Sequence, residues 1–248
     1  MLPLLIIKTG DTFPVLAAKR GGFDDWTRNG LDLDQQQVLV VNACAGHHLP
    51  APATLSGAVI TGSHDMVTEN SPWMVQTAGW LCDAVESELP VLGICFGHQL
   101  LAEALGGRAG WNPRGREIGC TLVTQTAQGR QDPLLGLLPA RFLAQVTHSQ
   151  TVLQLPPHAV LLAASDRDPH QAFRCGSALG VQFHPEFPIE ATSWYIDVLA
   201  ETLREEGFDL DHLRKNLRPT PESASLLAHF AASLLNGMKD RTTSIQQF

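Results

Sequence analysis

The sequence predicts an α/β fold: a doubly wound, mostly parallel sheet, with an added antiparallel hairpin region and a C-terminal helical extension. Three observations lead there. Short runs rich in Val, Ile and Leu occur at residues 4–7, 37–41, 58–61 and 91–94, without the polar alternation of a strand that faces water. Such runs fit parallel strands covered on both faces. Helical stretches separate them, and an alternation of strand and helix winds into a parallel sheet. Beyond Gly110 the rhythm changes to strand-like runs joined by Gly, Pro and Asp turns.

Taken in order, the apolar start MLPLLIIKTGDTFP has no charged leader region and no cleavage site, so it reads as a first buried strand rather than a signal peptide. Residues 72–89 carry a helical pattern in which Trp73, Val75, Trp80 and Ala84 recur at one- and two-turn spacing. Residues 96–105 follow the fourth strand directly and stop at Gly106-Gly107, a helix terminator. Residues 118–125, 142–146, 160–165, 172–175 and 179–183 read as strands, and 189–206 as a helix. Residues 1–200 therefore form one domain. Residues 201–248 form an extension with helices at 211–217 and 224–238 and a mobile tail, TTSIQQF. Leu226, Leu227, Phe230, Leu234 and Leu235 recur at helical spacing, so the extension is expected to pack on the domain.

Composition removes several classes of function. With 44% apolar residues the chain can bury a large core, which excludes a disordered chain. The formal charge of −8 and the lack of any basic run argue against nucleic acid as a partner. No apolar run reaches bilayer length, so no membrane partner is expected. The five cysteines are scattered without a CxxC pair, which points to a reduced, cytoplasmic protein in which all but Cys95 are small buried hydrophobes.

The strongest local signal is VLGICFGHQ at residues 91–99. Gly93-Ile94-Cys95-Phe96-Gly97 has the form of a nucleophile between two glycines, after a buried strand and before a helix. Small residues two before and two after let the chain turn sharply and present the side chain at the strand's carboxyl end, where open α/β sheets place ligands. The helix start aimed at the sulfur favours thiolate over thiol. A structural cysteine near a turn is the plainer alternative, but strand, two glycines and helix all agree on the nucleophile. A thiolate needs a proton shuttle, and LGVQFHPE at 179–186 supplies one: an apolar strand ends at His184, and Pro185 stops it. In an extended segment residues 184 and 186 point the same way, so Glu186 would orient the ring. A surface turn with an incidental His and Glu is the competing view.

GICFGHQL at 93–100 with GVQFHPE at 180–186 resembles the class I (triad) glutamine amidotransferases, nearest to the amidotransferase domain of GMP synthase and its standalone relatives. Shorter pieces agree in order across residues 1–200: VITGS at 59–63, LGG at 105–107, GREIG at 115–119 and THSQ at 147–150. The resemblance implies a flavodoxin-like fold and a triad of Cys95, His184 and Glu186. It implies an oxyanion hole from the backbone of Gly62, Ser63 and Phe96, and substrate contacts from Gln99, Ser149 and Gln150. It implies no metal and no organic cofactor. The loop Gly62-Ser63-His64-Asp65 departs from the family's usual Gly-Gly-Pro, though backbone donors survive side-chain changes. A metal pair of His64 and Asp65 with His47 or His48 lacks ligand spacing, and a solvated loop is the better reading.

The implied reaction is hydrolysis of the glutamine side-chain amide through a γ-glutamyl thioester. Glutamate is released, and ammonia passes to a separate acceptor or synthetase subunit, since no GxxxxGK[ST] loop occurs in the chain. A second reading keeps the triad but cleaves γ-glutamyl peptides or amines. A third is an inactive binding or regulatory relative. The oligomeric state is not legible.

Overall fold

Four consecutive buried residues make the first strand, β1 (Leu4–Lys8), a central one with no solvent face. The computed structural model describes residues 2–245, with side chains through residue 235. After β1 come helices α1 (Pro14–Arg20) and α2 (Phe23–Leu31), strands β2 (Val38–Asn42) and β3 (Gly57–Ile60), and helix α3 (Pro72–Glu86). Strand β4 (Val91–Ile94) leads into α4 (Phe96–Ala104). Seven strands follow: β5 (Arg108–Trp111), β6 (Glu117–Gln125), β7 (Arg141–His148), β8 (Gln150–Gln154), β9 (Val160–Ala164), β10 (Ala172–Cys175) and β11 (Ala178–Val181). The chain then runs through α5 (Ile189–Val198), α6 (Ala200–Glu205), α7 (Leu210–Asn216) and α8 (Pro221–Ile245).

Nine strands form one sheet in the order β2-β1-β3-β4-β11-β10-β9-β6-β7, and β5 pairs with β8 in a separate ribbon. The first five strands are parallel, and β10, β9, β6 and β7 extend the sheet through antiparallel pairings. This is the expected fold class, with the antiparallel region continuous with the parallel sheet. The antiparallel half curls back, because the backbone N–H of His184, just after β11, donates to the Gln145 carbonyl on β7 at 2.8 Å.

Helices cover both faces. Leu4 and Ile6 of β1 pack with Leu31 of α2 and with Leu226, Leu227, Phe230 and Leu234 of α8. Leu5 and Ile7, on the opposite face, pack with Met74 and Leu81 of α3 and Leu100 of α4. Alternation along β1 thus sorts its side chains into two cores. Among the described residues no helix is long and apolar enough to cross a membrane.

Several expectations are corrected. Strand β2 lies at the sheet edge and is only half-buried, with Leu39 39% exposed, because no strand covers its outer side. The buried stripe of α3 is Met74, Thr77, Leu81 and Ala84. Val75 is exposed, and Trp80 sits half-buried where its indole N–H reaches the Pro50 carbonyl at 2.7 Å. The expected helix over 189–206 breaks at Leu199 into α5 and α6. Of the cysteines only Cys95 is buried; Cys44 is exposed, and Cys82, Cys120 and Cys175 are half-buried. Helices α1 and α2 and the ribbon β5–β8 had no clear signal in the sequence. The segment read as a mobile tail begins within α8, which runs to Ile245; residues 246–248 lie outside the described residues.

Candidate active site

The ends of β3, β4 and the segment after β11 meet on one side of the sheet, because these three strands are parallel neighbours. At the end of β4, Cys95 takes φ 51° and ψ −100°, a conformation side chains disfavour. The flanking glycines make that turn fit. A Cβ on Gly93 would lie 2.6 Å from the Gly97 carbonyl oxygen, and one on Gly97 would lie 2.6 Å from the Ile60 oxygen. Both close approaches are backbone to backbone, so neither position can yield. Helix α4 starts at Phe96, directly after the sulfur-bearing residue.

His184 follows β11, and its Nδ1 stands 2.7 Å from Oε1 of Glu186. The extended geometry expected here does not occur. Residues 184–187 form a turn closed by the Phe187 N–H on the His184 carbonyl at 3.4 Å, and the turn folds Glu186 back onto the ring. Phe187 stacks on the imidazole with centroids 3.9 Å apart. Burial acts to lower the His184 pKa. The Glu186 carboxylate and the adjacent Cys95 sulfur outweigh burial and push it up to about 10. Nδ1 is engaged with Glu186, and Nε2 has no hydrogen-bond partner. Gly62 lies between the two side chains: a Cβ there would come within 3.1 Å of His184 Cε1 and 4.0 Å of Cys95 Cβ.

The loop after β3 is oriented from behind. The Gly62 carbonyl accepts hydrogen bonds from Thr9 Oγ1 and Thr61 Oγ1, both at 3.1 Å. In a trans peptide the next N–H points the opposite way, so that of Ser63 is turned from these threonines. The N–H groups of Gly62, Ser63 and Phe96 have no acceptor among the described residues.

A cavity of about 280 Å³ opens at Cys95. Ser63, Phe96, Gln99, Ser149, Gln150 and His184 line it together with the cysteine, while Glu186 and Gly62 stand behind. Gln99 has a further occupation. Its Nε2 donates to the Gln150 carbonyl at 2.8 Å and to Gln182 Oε1 at 3.1 Å, bracing the loop that carries Ser149 and Gln150. The Ser149 carbonyl accepts from Asn112 N–H at 2.9 Å.

Sequence reasoning missed the network beneath that loop. His148 donates through Nδ1 to the Gln150 carbonyl at 2.9 Å and through Nε2 to Glu117 Oε2 at 3.0 Å. Both acceptors lack protons, so both ring nitrogens carry one and the imidazole is cationic. Burial opposes this charge, but the Glu117 and Asp168 carboxylates outweigh it and raise the His148 pKa. Burial would raise the Glu117 pKa, but the hydrogen bond and charge of His148, with hydrogen bonds from Ser165 and Thr121, lower it. Ligand atoms of Glu117, His148 and Asp168 lie within 4.8 Å of one another. Yet His148 keeps no lone pair for a metal, and Thr121, Ser165, Gln171 and Thr151 already donate to the carboxylates. The signal was present in the motifs at 115–119 and 147–150, which carry Glu117 and His148. His64 Nε2 is paired with the Tyr195 hydroxyl at 2.7 Å, and among the described residues His64 is not grouped with His47 or His48 as possible metal ligands.

Comparison with known proteins matches residues 49–196 to the family model of glutamine amidotransferase class-I. The chain belongs to that family. Within this class I glutamine amidotransferase, the matched segment includes Cys95, His184 and Glu186. The chain is 40% identical over 130 residues to a GMP synthase [glutamine-hydrolyzing] of Thermomicrobium roseum, covering 52% of this chain and 23% of that one. It is 34% identical over 157 residues to gamma-glutamyl peptidase 5 of Arabidopsis thaliana, covering 61% and 62%. The chain thus spans less than two thirds of either relative. A glutamine amidotransferase from Thermotoga maritima has the same fold, with a TM-score of 0.70 over 96% of this chain and 98% of that one at 22% identity.

Proposed function

We propose that this amidotransferase hydrolyses the glutamine side-chain amide through a γ-glutamyl thioester on Cys95. The observation that carries the proposal is the nucleophile turn of Cys95 beside a His184 ring held at 2.7 Å by Glu186. The sulfur attacks the γ-carbonyl carbon, and the N–H groups of Ser63 and Phe96, with Gly62 beside them, hold the oxyanion. His184 gives its proton to the departing nitrogen as the C–N bond breaks. Water, deprotonated by His184, then adds to the thioester; the C–S bond breaks and glutamate leaves. Gln99, Ser149 and Gln150 bind the amino-acid end. No metal or organic cofactor enters these steps.

Released ammonia goes to an acceptor on a separate synthetase, a reading supported by the likeness to part of a GMP synthase. A second reading is favoured by the match to a γ-glutamyl peptidase over 61% of the chain: the same thioester forms, and a larger amine leaves. The same proposal divides the chain at the α5–α6 break into a catalytic domain, residues 1–200, and a helical extension, 201–248, packed on it through α8. A reduced, cytoplasmic setting belongs to this proposal.

The test is chemical. Purified protein mixed with glutamine and quenched in acid is expected to carry a γ-glutamyl adduct on the Cys95 peptide, absent in Cys95→Ala. No adduct, with undiminished hydrolysis by Cys95→Ala, overturns the proposal and favours an inactive relative or an unrelated site.

A further inference from the structure

The leaving amine departs beside the group that protonates it, so its binding site is whatever wall the cavity has on the His184 side. Here that wall is aromatic. Phe23 stacks towards His184 at 6.3 Å between centroids and meets His64 edge-on at 5.9 Å. His64 lies 4.6 Å from Phe13, and Phe13 lies 5.3 Å from Tyr195. All four, with Leu199, line the cavity that holds Cys95.

The polar atoms on this wall are turned to one another. His64 Nε2 is paired with the Tyr195 hydroxyl at 2.7 Å, and that hydroxyl with Thr12 Oγ1 at 3.0 Å. His64 is disfavoured as a cation, first by loss of solvent and then by the nearby His184 charge. Among the lining residues one guanidinium is present, Arg116, and it is clasped by Glu206 at 2.8 and 3.1 Å. A leaving group with a carboxylate would have to break that pair. One carboxylate, Asp65, also lines the cavity. Phe23 and Tyr195 are buried at 2% and 3% exposure, so they back the wall, and the amine meets chiefly the more open rings of Phe13 and His64.

We propose that Phe13, Phe23, His64, Tyr195 and Leu199 form a leaving-amine subsite for an aromatic or aliphatic monoamine, making γ-glutamyl amides of apolar amines substrates. The proposal rests on the thioester reading of Cys95 and names the leaving group for it. The bonds balance as before: the C–S bond forms, the C–N bond breaks, the amine takes the His184 proton, and water later replaces sulfur on the γ-carbon. An apolar amine gains by leaving water for this wall, and a methylene or ring well seated in such a pocket shifts kcat/KM by about tenfold or more.

The experiment compares kcat/KM for glutamine, γ-glutamylglycine, the γ-glutamyl amide of 1,4-diaminobutane and γ-glutamylbenzylamide, on wild type and on Phe13→Ala and Phe13→Leu. The benzylamide is expected to exceed each of the other three by about tenfold or more. Phe13→Ala is expected to cut the benzylamide-to-glutamine ratio by about tenfold, with Phe13→Leu between. If Phe13→Ala does not fold, wild type and Phe13→Leu decide. Preference for γ-glutamylglycine would reassign the subsite to Arg116, and preference for the diamine to Asp65. Either result, or glutamine equal to the benzylamide, or an unchanged ratio in Phe13→Leu, overturns the apolar subsite. Acid-quenched mass spectrometry separates the two failures: no adduct on Cys95 from any substrate removes the thioester reading itself, whereas an adduct from glutamine without a benzylamide preference removes only the subsite.

Discussion

Glu186 Oε1 lies 2.7 Å from His184 Nδ1, and both side chains are sealed from solvent. The turn at Pro185 makes this contact, not the alternation of a strand. Shielded from water, the carboxylate holds the ring by Nδ1 and leaves Nε2 facing no hydrogen-bond partner, which is what the proposed mechanism requires.

Replacing Glu186 by Gln keeps the shape and removes the charge. Steady-state kinetics with glutamine should show kcat falling about a hundred- to ten-thousandfold. An E186Q enzyme within about threefold of wild type would mean the carboxylate only packs.

The alkaline side of the pH profile follows from His184. Its pKa is raised to about 10, so its proton is held at neutral pH and lost as pH rises through about 10. Acylation should decline over that rise. The same sign applies to stability: the contribution is full below the free value of 6.5 and disappears through about 10. In Glu186→Gln the raising charge is gone, so the alkaline fall should move to lower pH. Stopped-flow acylation rates across pH read this shift.

Backbone strain at Cys95 can be separated from loss of its sulfur. Glycine adopts φ 51°, ψ −100° readily, and alanine does not. Urea unfolding should find Cys95→Gly more stable than Cys95→Ala by about 1 kcal/mol, the reverse of the usual order. Gly97→Ala forces a Cβ onto the Ile60 carbonyl and should cost about 1–3 kcal/mol together with most activity.

His148 and Glu117 form a buried charged pair under the loop 147–150. Glu117→Gln removes one charge and should destabilise the fold by about 3–5 kcal/mol. It should also raise KM for glutamine more than it lowers kcat, because in the proposed mechanism the loop it supports binds the amino-acid end. Glu117 is depressed, so its contribution is lost as pH falls below its usual 4.5; His148 is raised, so its contribution is lost as pH climbs beyond its usual 6.5. The stability gap between wild type and variant should be widest between those limits and narrow on either side.

Helix α8 is tested by Phe230→Ala. This ring is 1% exposed in the core shared with Leu4 and Leu31. Its removal should cost about 3–5 kcal/mol by thermal or urea unfolding. A change below about 0.5 kcal/mol would mean the extension is not part of the folding unit.

Some of this was legible in the residues. The β4–Cys95–α4 turn was, because flanking glycines, an apolar run and a helix terminator are local features that tertiary contacts only sharpen. The edge position of β2 was not, since Val-Leu-Val-Val reads as buried until its neighbours are known. The face of α3 was legible only in part: Ala84 and the half-buried Trp73 and Trp80 pack on the core as their pattern suggests, while the buried Met74, Thr77 and Leu81 stand outside that pattern.

The amino-acid sequence by itself determined the doubly wound fold and the identity of a cysteine, a histidine and a carboxylate able to share one site, because each sits on a short motif whose backbone form is set by its own glycines or proline. Tertiary structure alone decided how those motifs are served. Thr9 reaches Gly62 across 53 positions, Glu117 reaches His148 across 31, and Tyr195 reaches His64 across 131. Partners so far apart leave no periodicity in the chain. They meet only when the parallel strands bring their carboxyl ends together and the antiparallel half curls back over the site.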